Sequence, residues 1–151
     1  MTVDGVAIEK AKQKRERLHQ AMWDLEAAVS APAQVSAWIV DLSGSMTVFQ
    51  DALLDHIVEV EGPEGIIARI LEDVPRLSAH ADVLLGDHPR LRLLTEQVTN
   101  QVQNAGPAPD GDAVRVIREA VLELLGQLSR HRHLGADLVY DAYNLDVGGQ
   151  A

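Results

Sequence analysis

The chain has 151 residues and lacks cysteine altogether. Disulfides, thiolate zinc sites, cysteine-ligated iron–sulfur clusters and cysteine nucleophiles are therefore excluded. Aromatic residues are scarce, five in all (Trp23, Trp38, Phe49, Tyr140 and Tyr143), which argues against base-stacking platforms. Lysine occurs only at Lys10, Lys12 and Lys14, and 13 basic against 23 acidic side chains leave a formal charge of −10. That balance speaks against nucleic acid or an anionic membrane surface as a partner. No stretch of 18 apolar residues is free of charge, so no transmembrane helix is expected. At the N-terminus, Val6-Ala7-Ile8 runs straight into Glu9-Lys10, which lacks the apolar core of a signal peptide, and a cytoplasmic location is expected. What the chain does have is six histidines, its only soft metal-binding and proton-transfer groups.

Apolar residues recur with a helical period almost throughout, and the length suits a single domain over 1–151. A first long helix is predicted from about Asp4 to Ser30, with Leu18, Met22, Leu25 and Val29 on one stripe, broken at Ala31-Pro32-Ala33. A second runs from about Val35 to Glu61, with Phe49, Leu53, His56 and Val60 in line, and Gly62-Pro63-Glu64-Gly65 ends it. A short helix through Ile66, Ile67, Ile70, Leu71 and Val74 stops at Pro75. The third long helix carries Leu77, Ala81, Leu84, His88, Leu91, Thr95, Val98 and Val102, with Pro89 inside it as an expected kink. After the loop Asn104–Gly111, Asp112 is a good N-cap for a fourth helix through Val114, Ile117, Val121, Leu124, Leu128, His131, Gly135, Leu138, Ala142 and Leu145, closed by Gly148-Gly149. Four amphipathic helices with short connections predict an all-α fold, an antiparallel up-down four-helix bundle with a short extra helix before the third long one.

The histidines carry the chemistry. His56, His88 and His131 each occupy a step that apolar residues otherwise fill, on three different helices, and His19 borders the stripe of the first. Leaving such a buried polar group without a partner costs about 1–3 kcal/mol, so these positions need partners. Counting 1.5 Å per residue from the helix ends puts His19, His88 and His131 at a common level and His56 one or two turns lower. Inward-pointing histidines and carboxylates on facing helices are how bundles build metal sites, and imidazole with carboxylate suits iron, zinc or manganese.

Two stretches, His56-Ile57-Val58-Glu59-Val60-Glu61-Gly62-Pro63 and Ala79-His80-Ala81-Asp82-Val83-Leu84-Leu85-Gly86-Asp87-His88, set one such histidine each among acidic residues. A third, Arg130-His131-Arg132-His133-Leu134-Gly135-Ala136-Asp137, does the same on the last helix. Together they resemble the hemerythrin-like (HHE) family of bundles, over about Leu18 to Gly149. The resemblance implies a non-heme iron site, di-iron in that family, that binds or processes O2, peroxide or NO. It places the ligands at His19, His56, His88 and His131, with Glu61 as the accompanying carboxylate. The sequence departs from the family pattern at three points. Val60 stands where that family has Glu after the second-helix histidine. Leu84 stands where it has a second histidine on the third helix, and Ala136 where it has the bridging Asp on the fourth. A mononuclear site, a rearranged dinuclear site and a bundle without metal all remain open. The competing reading is a metal-free interaction or regulatory module with buried structural histidines, as a monomer or a homodimer; a histidine-based acid–base enzyme is a third.

Other groupings read as surface or packing. Asp51, Asp55 and Glu59 form a solvated acidic face; Asp141 is a candidate ligand or a partner that orients His133; Gly44 is expected to let two helices approach closely. No phosphate loop, dinucleotide fingerprint or nucleophile elbow occurs.

Overall fold

The computed structural model describes residues 5–34 and 37–144. It contains helices α1 (Gly5–Ser30), α2 (Trp38–Glu61), α3 (Ile66–Asp73), α4 (Ser78–Asn104) and α5 (Gly111–Tyr143), with one 3-10 turn at Pro75–Leu77 before α4. No strand occurs among the described residues, and no helix is long and apolar enough to cross a membrane. The expected helix starts at Asp4 and Val35, and the expected Leu145 stripe position and Gly148-Gly149 cap, lie outside the described residues.

The four long helices are the predicted ones, and most described positions of their stripes are buried, with His56, Gly135 and Ala142 half-buried. All eight stripe positions predicted for the third long helix are buried, seven on α4 and Leu77 in the 3-10 turn before it, as are Leu18, Met22, Leu25 and Val29 on α1. Helix α1 packs on α2, α4 on α5, α2 on α4 and α1 on α5, while α3 lies against all four. Arg118 of α5 ties two of these elements together. Its guanidinium donates to the carbonyls of Val29 (3.1 Å) and Ala31 (2.8 Å) at the C-terminal end of α1, where helix carbonyls lack partners, and it lies over the Trp38 ring at 5.4 Å.

One boundary differs from the sequence reading. The N-cap of α5 is Asp110, not Asp112: Asp110 takes an extended backbone and its Oδ1 accepts from the Ala113 amide at 2.8 Å. Asp112 falls in the first turn, where a carboxylate suits the positive end of the helix dipole. Helix α4 runs through Pro89, which lies inside it as the sequence reading has it; the proline removes one amide donor at that point but does not end the helix. Gly44 does not make the expected close approach. A Cβ built there meets nothing within 4 Å, so no helix approaches it closely. The tight glycine is Gly65, between α2 and α3, whose added Cβ would stand 2.0 Å from the Glu59 carbonyl oxygen.

The apolar interior falls into two clusters. One is built around Leu18, Leu25, Phe49, Leu53, Leu91, Val121, Leu124 and Leu128. The other joins Val60, Ile66, Ile67, Ile70, Leu77, Ala81, Leu84, Leu138 and Val139. On each helix stripe a histidine sits where one cluster gives way to the other: His56 between Leu53 and Val60, His88 between Leu84 and Leu91, His131 between Leu128 and Leu138. A polar layer thus divides the core, and α3 roofs the smaller half with its buried isoleucines.

Candidate metal centre

The layer brings His56, His88 and His131 together from α2, α4 and α5. One ring nitrogen of each lies within 4.8 Å of the others. The rings meet edge to face, with centroids 5.0 Å apart for His88 and His131 and 6.0 Å for the two pairs involving His56. His88 and His131 are buried at 1% and 4% exposure. His56 keeps an edge toward the surface, but its Nδ1 is enclosed.

Two carboxylates stand behind the group. Asp87 Oδ2 lies 2.9 Å from Nδ1 of His131, and Glu61 Oε2 lies 3.4 Å from Nδ1 of His88, a long contact. An ionised carboxylate only accepts, so each facing Nδ1 carries the proton and each Nε2 presents its lone pair. The Nε2 of His88 and the Nδ1 of His56 are both buried without a hydrogen-bond partner. Asp87 is itself held by Arg90 at 2.8 Å.

The electrostatics keep the imidazoles neutral. Burial, with the neighbouring His131 and His88 and the charges of Arg15 and Arg132, lowers His56 to about 3. Burial also lowers His88 and His131, against the opposing pull of Glu61 on the one and Asp87 on the other. Neutral imidazole is the form that ligates a metal.

Beside the three rings is a cavity of about 50 Å³. Val60, Ile66, Ile67, Leu84 and Leu138 form apolar walls, and Arg15 of α1 and Arg132 of α5 also line it. Arg132 is only 7% exposed. Burial lowers both guanidinium pKa values, and that of Arg15 is lowered further by the charge of Arg132.

Of the five residues singled out in the sequence, three converge. His19 does not join them: it lies one step off the stripe, and its Nε2 accepts from the Trp23 indole at 2.7 Å on its own helix. Glu61 lies on the outer nitrogen of His88 and outside the set of grouped donors. Asp141 faces His80 at 3.7 Å rather than His133. The level count misplaced His56 because it assumed that the long helices end in common planes. Glu61, the last residue of α2, meets His88, ten residues after α4 begins at Ser78. That places the start of α4 about 15 Å beyond the end of α2, and α3 fills the step. Asp87, Arg15 and Arg132 escaped the sequence reading. Asp87 carried a signal, standing next to a stripe histidine; the two arginines sit in a run of charges that reads as solvated surface.

The donor set fits one metal ion. Three neutral imidazole nitrogens, two of them orphaned in the interior and two rings oriented by outer carboxylates, have the chemistry of a first-row metal site. Nitrogens bound at about 2.0–2.1 Å to one tetrahedral ion stand about 3.4 Å apart, within a small side-chain closure of this arrangement. Among the described residues no carboxylate joins the three donors within that distance. Comparison with protein-family models, curated proteins and solved structures finds no match to this chain.

Proposed function

We propose that this chain is an antiparallel up-down four-helix bundle that binds a single first-row metal ion, iron or zinc, through His56, His88 and His131. In this reading it is a mononuclear, divergent counterpart of the hemerythrin-like bundles. The antiparallel arrangement is supported by contacts that pair early residues of one helix with late residues of another, His80 with Asp141 and Arg118 with the carbonyl of Val29, and by Arg17 in the middle of α1 meeting Asp55 in the second half of α2. The observation that carries metal binding is the pair of buried, unpartnered nitrogens, His56 Nδ1 and His88 Nε2, inside a convergent trio. Each would cost about 1–3 kcal/mol if left unsatisfied.

Asp87 and Glu61 fix the ring orientation of His131 and His88 and hold the protons on the nitrogens facing away from the ion. The apolar walls of Ile66, Ile67 and Leu84 keep bulk water from the ligand side. When bound, the ion supplies Lewis acidity and, if it is iron, one-electron chemistry toward a small ligand such as O2, peroxide or NO.

The test is elemental analysis of untagged protein grown with iron and zinc. One ion per chain is expected in the wild type and in His19→Ala, and a loss of metal in His88→Leu and His131→Leu. Protein that carries well below one ion per chain after metal supplementation would refute the proposal. The competing metal-free module predicts instead that His131→Leu is tolerated or stabilising, as apolar replacement of a buried polar group often is.

A further inference from the structure

Helix α2 has a second patterned face. Its buried stripe points into the core, but Val40, Gly44, Thr47, Asp51, Leu54 and Val58 are all exposed, and they recur at alternating steps of four and three. That spacing sets them in one seam on the far side of the helix from the core. Val40 and Val58, at its ends, are 68% and 72% exposed. Asp51 is the one charge in the seam, and α2 contains no lysine or arginine. Glycine at position 44 costs a helix about 0.5–1 kcal/mol relative to alanine. A Cβ there would meet nothing within 4 Å, so no contact inside the chain accounts for it. A heptad seam turned away from its own core is the pattern by which one helix packs on another.

We infer that α2 of a second copy of this chain covers the seam, running antiparallel about a two-fold axis at the level of Phe49. The seam residues stand symmetrically about that level. Val40 meets Val58 of the partner, Gly44 meets Leu54 and Thr47 meets Asp51, and each pair occurs twice, as a two-fold interface requires. The largest side chain thus enters the space that the glycine leaves open, and the carboxylate faces a hydroxyl. A parallel pairing in register would instead set Asp51 on Asp51, with like charges opposed, and leave a void between two glycines. The flanks also agree in charge. Asp41 lies two heptads before Asp55 on the same flank of α2, and an antiparallel two-fold pair sets like flanks side by side. The partner's Asp41 therefore comes between Asp55 and Glu59, where Lys14, 3.7 Å from Asp55, and Arg17 already supply positive charge. The seam is about 27 Å long at 1.5 Å per residue. One helix pair of that length is a modest interface, for which association in the micromolar range is expected.

Sedimentation velocity of the full chain over roughly 1–500 µM tests the inference. A reversible monomer–dimer equilibrium is expected, with no larger species, because a two-fold interface closes on itself. Val58→Glu places a charge against Val40 of the partner, and Gly44→Leu fills the space that Leu54 of the partner would occupy. Each should raise the dimer Kd by about tenfold or more, with helical circular dichroism unchanged, and Gly44→Leu should raise the melting temperature of the dilute monomer. Cross-linking reads the register, and the absence of cysteine makes it clean. Val40→Cys mixed with Val58→Cys should form an interchain disulfide on mild oxidation. Either variant alone should not, since the two copies of each position stand about 27 Å apart in this register. The inference is overturned if the chain stays monomeric over the whole range, if both Val58→Glu and Gly44→Leu dimerise as the wild type does, or if Val40→Cys links to itself as readily as to Val58→Cys. Should Val58→Glu not fold, Gly44→Leu and the cross-linking decide. Association is measured apart from metal content, so its failure leaves the histidine centre untouched, and the reverse holds as well.

Discussion

Lowering the pH of the metal-free protein should destabilise it through His56. In the folded state burial and neighbouring positive charge hold this imidazole at about 3, against an ordinary value of 6.5. The unfolded chain therefore binds a proton that the folded chain refuses, and stability falls as pH drops through 6.5 toward 3. Between pH 7.5 and pH 5.0 the loss from His56 alone is about 2 kcal/mol, rising to about 5 kcal/mol below pH 3. His88 and His131 are shifted in the same direction and add to the effect. The assay is urea unfolding in EDTA at the two pH values. With an m-value of about 2 kcal/mol/M, the midpoint should drop by about 1 M on account of His56. Acidification also relieves repulsion among the 23 acidic residues, so the informative quantity is the difference between wild type and His56→Leu. The variant should lose the His56 contribution and be more stable than the wild type at pH 5. Equal midpoint shifts in the two proteins would refute the reasoning.

Two further perturbations test the support of the site and the tight turn beside it. Asp87→Ala removes the acceptor that orients His131 and should weaken metal binding by about 10–100-fold, with helix content retained, as read by competition with a chromophoric chelator. Gly65→Ala would place a Cβ 2.0 Å from the Glu59 carbonyl and 3.0 Å from that of Val60; the forced shift should cost about 1–3 kcal/mol and lower the melting temperature by several degrees. Gly126→Ala, where a Cβ meets nothing within 4 Å, is the control and should stabilise α5 by about 0.5–1 kcal/mol.

Much of the architecture was legible because it depends on local pattern. Runs such as Leu77–Ala81–Leu84–His88–Leu91 repeat at steps of four and three, which only a helix can align on one face. Proline and glycine at Pro32, Gly62-Pro63 and Pro75 mark breaks by removing amide donors or helical preference. The same logic singled out His56, His88 and His131, because a histidine on an apolar stripe is carried into the core by its neighbours whatever its own preference.

The remainder of the site depended on how the helices are placed against one another. Spacing along one helix gives the direction of a side chain but not its level relative to another helix, so His19 was grouped where His56 belongs. A single side-chain bond, from Trp23 to His19, holds that ring on the flank of α1. The offset of α4 relative to α2, filled by α3, carries His88 beside Glu61 and sets Asp87 behind His131. Arg15 and Arg132 show the limit most plainly. In the sequence they are members of the charged runs Lys14–Arg17 and Arg130–His133, and only the packing of α1 on α5 turns them inward onto one cavity. The sequence by itself determined the helices, their buried faces and the neutral, nitrogen-based chemistry available to a chain without cysteine. Which histidines meet, which carboxylates orient them and where the buried positive charge collects were decided by tertiary structure, since interhelix register is set by the sum of all packing contacts and by no one segment.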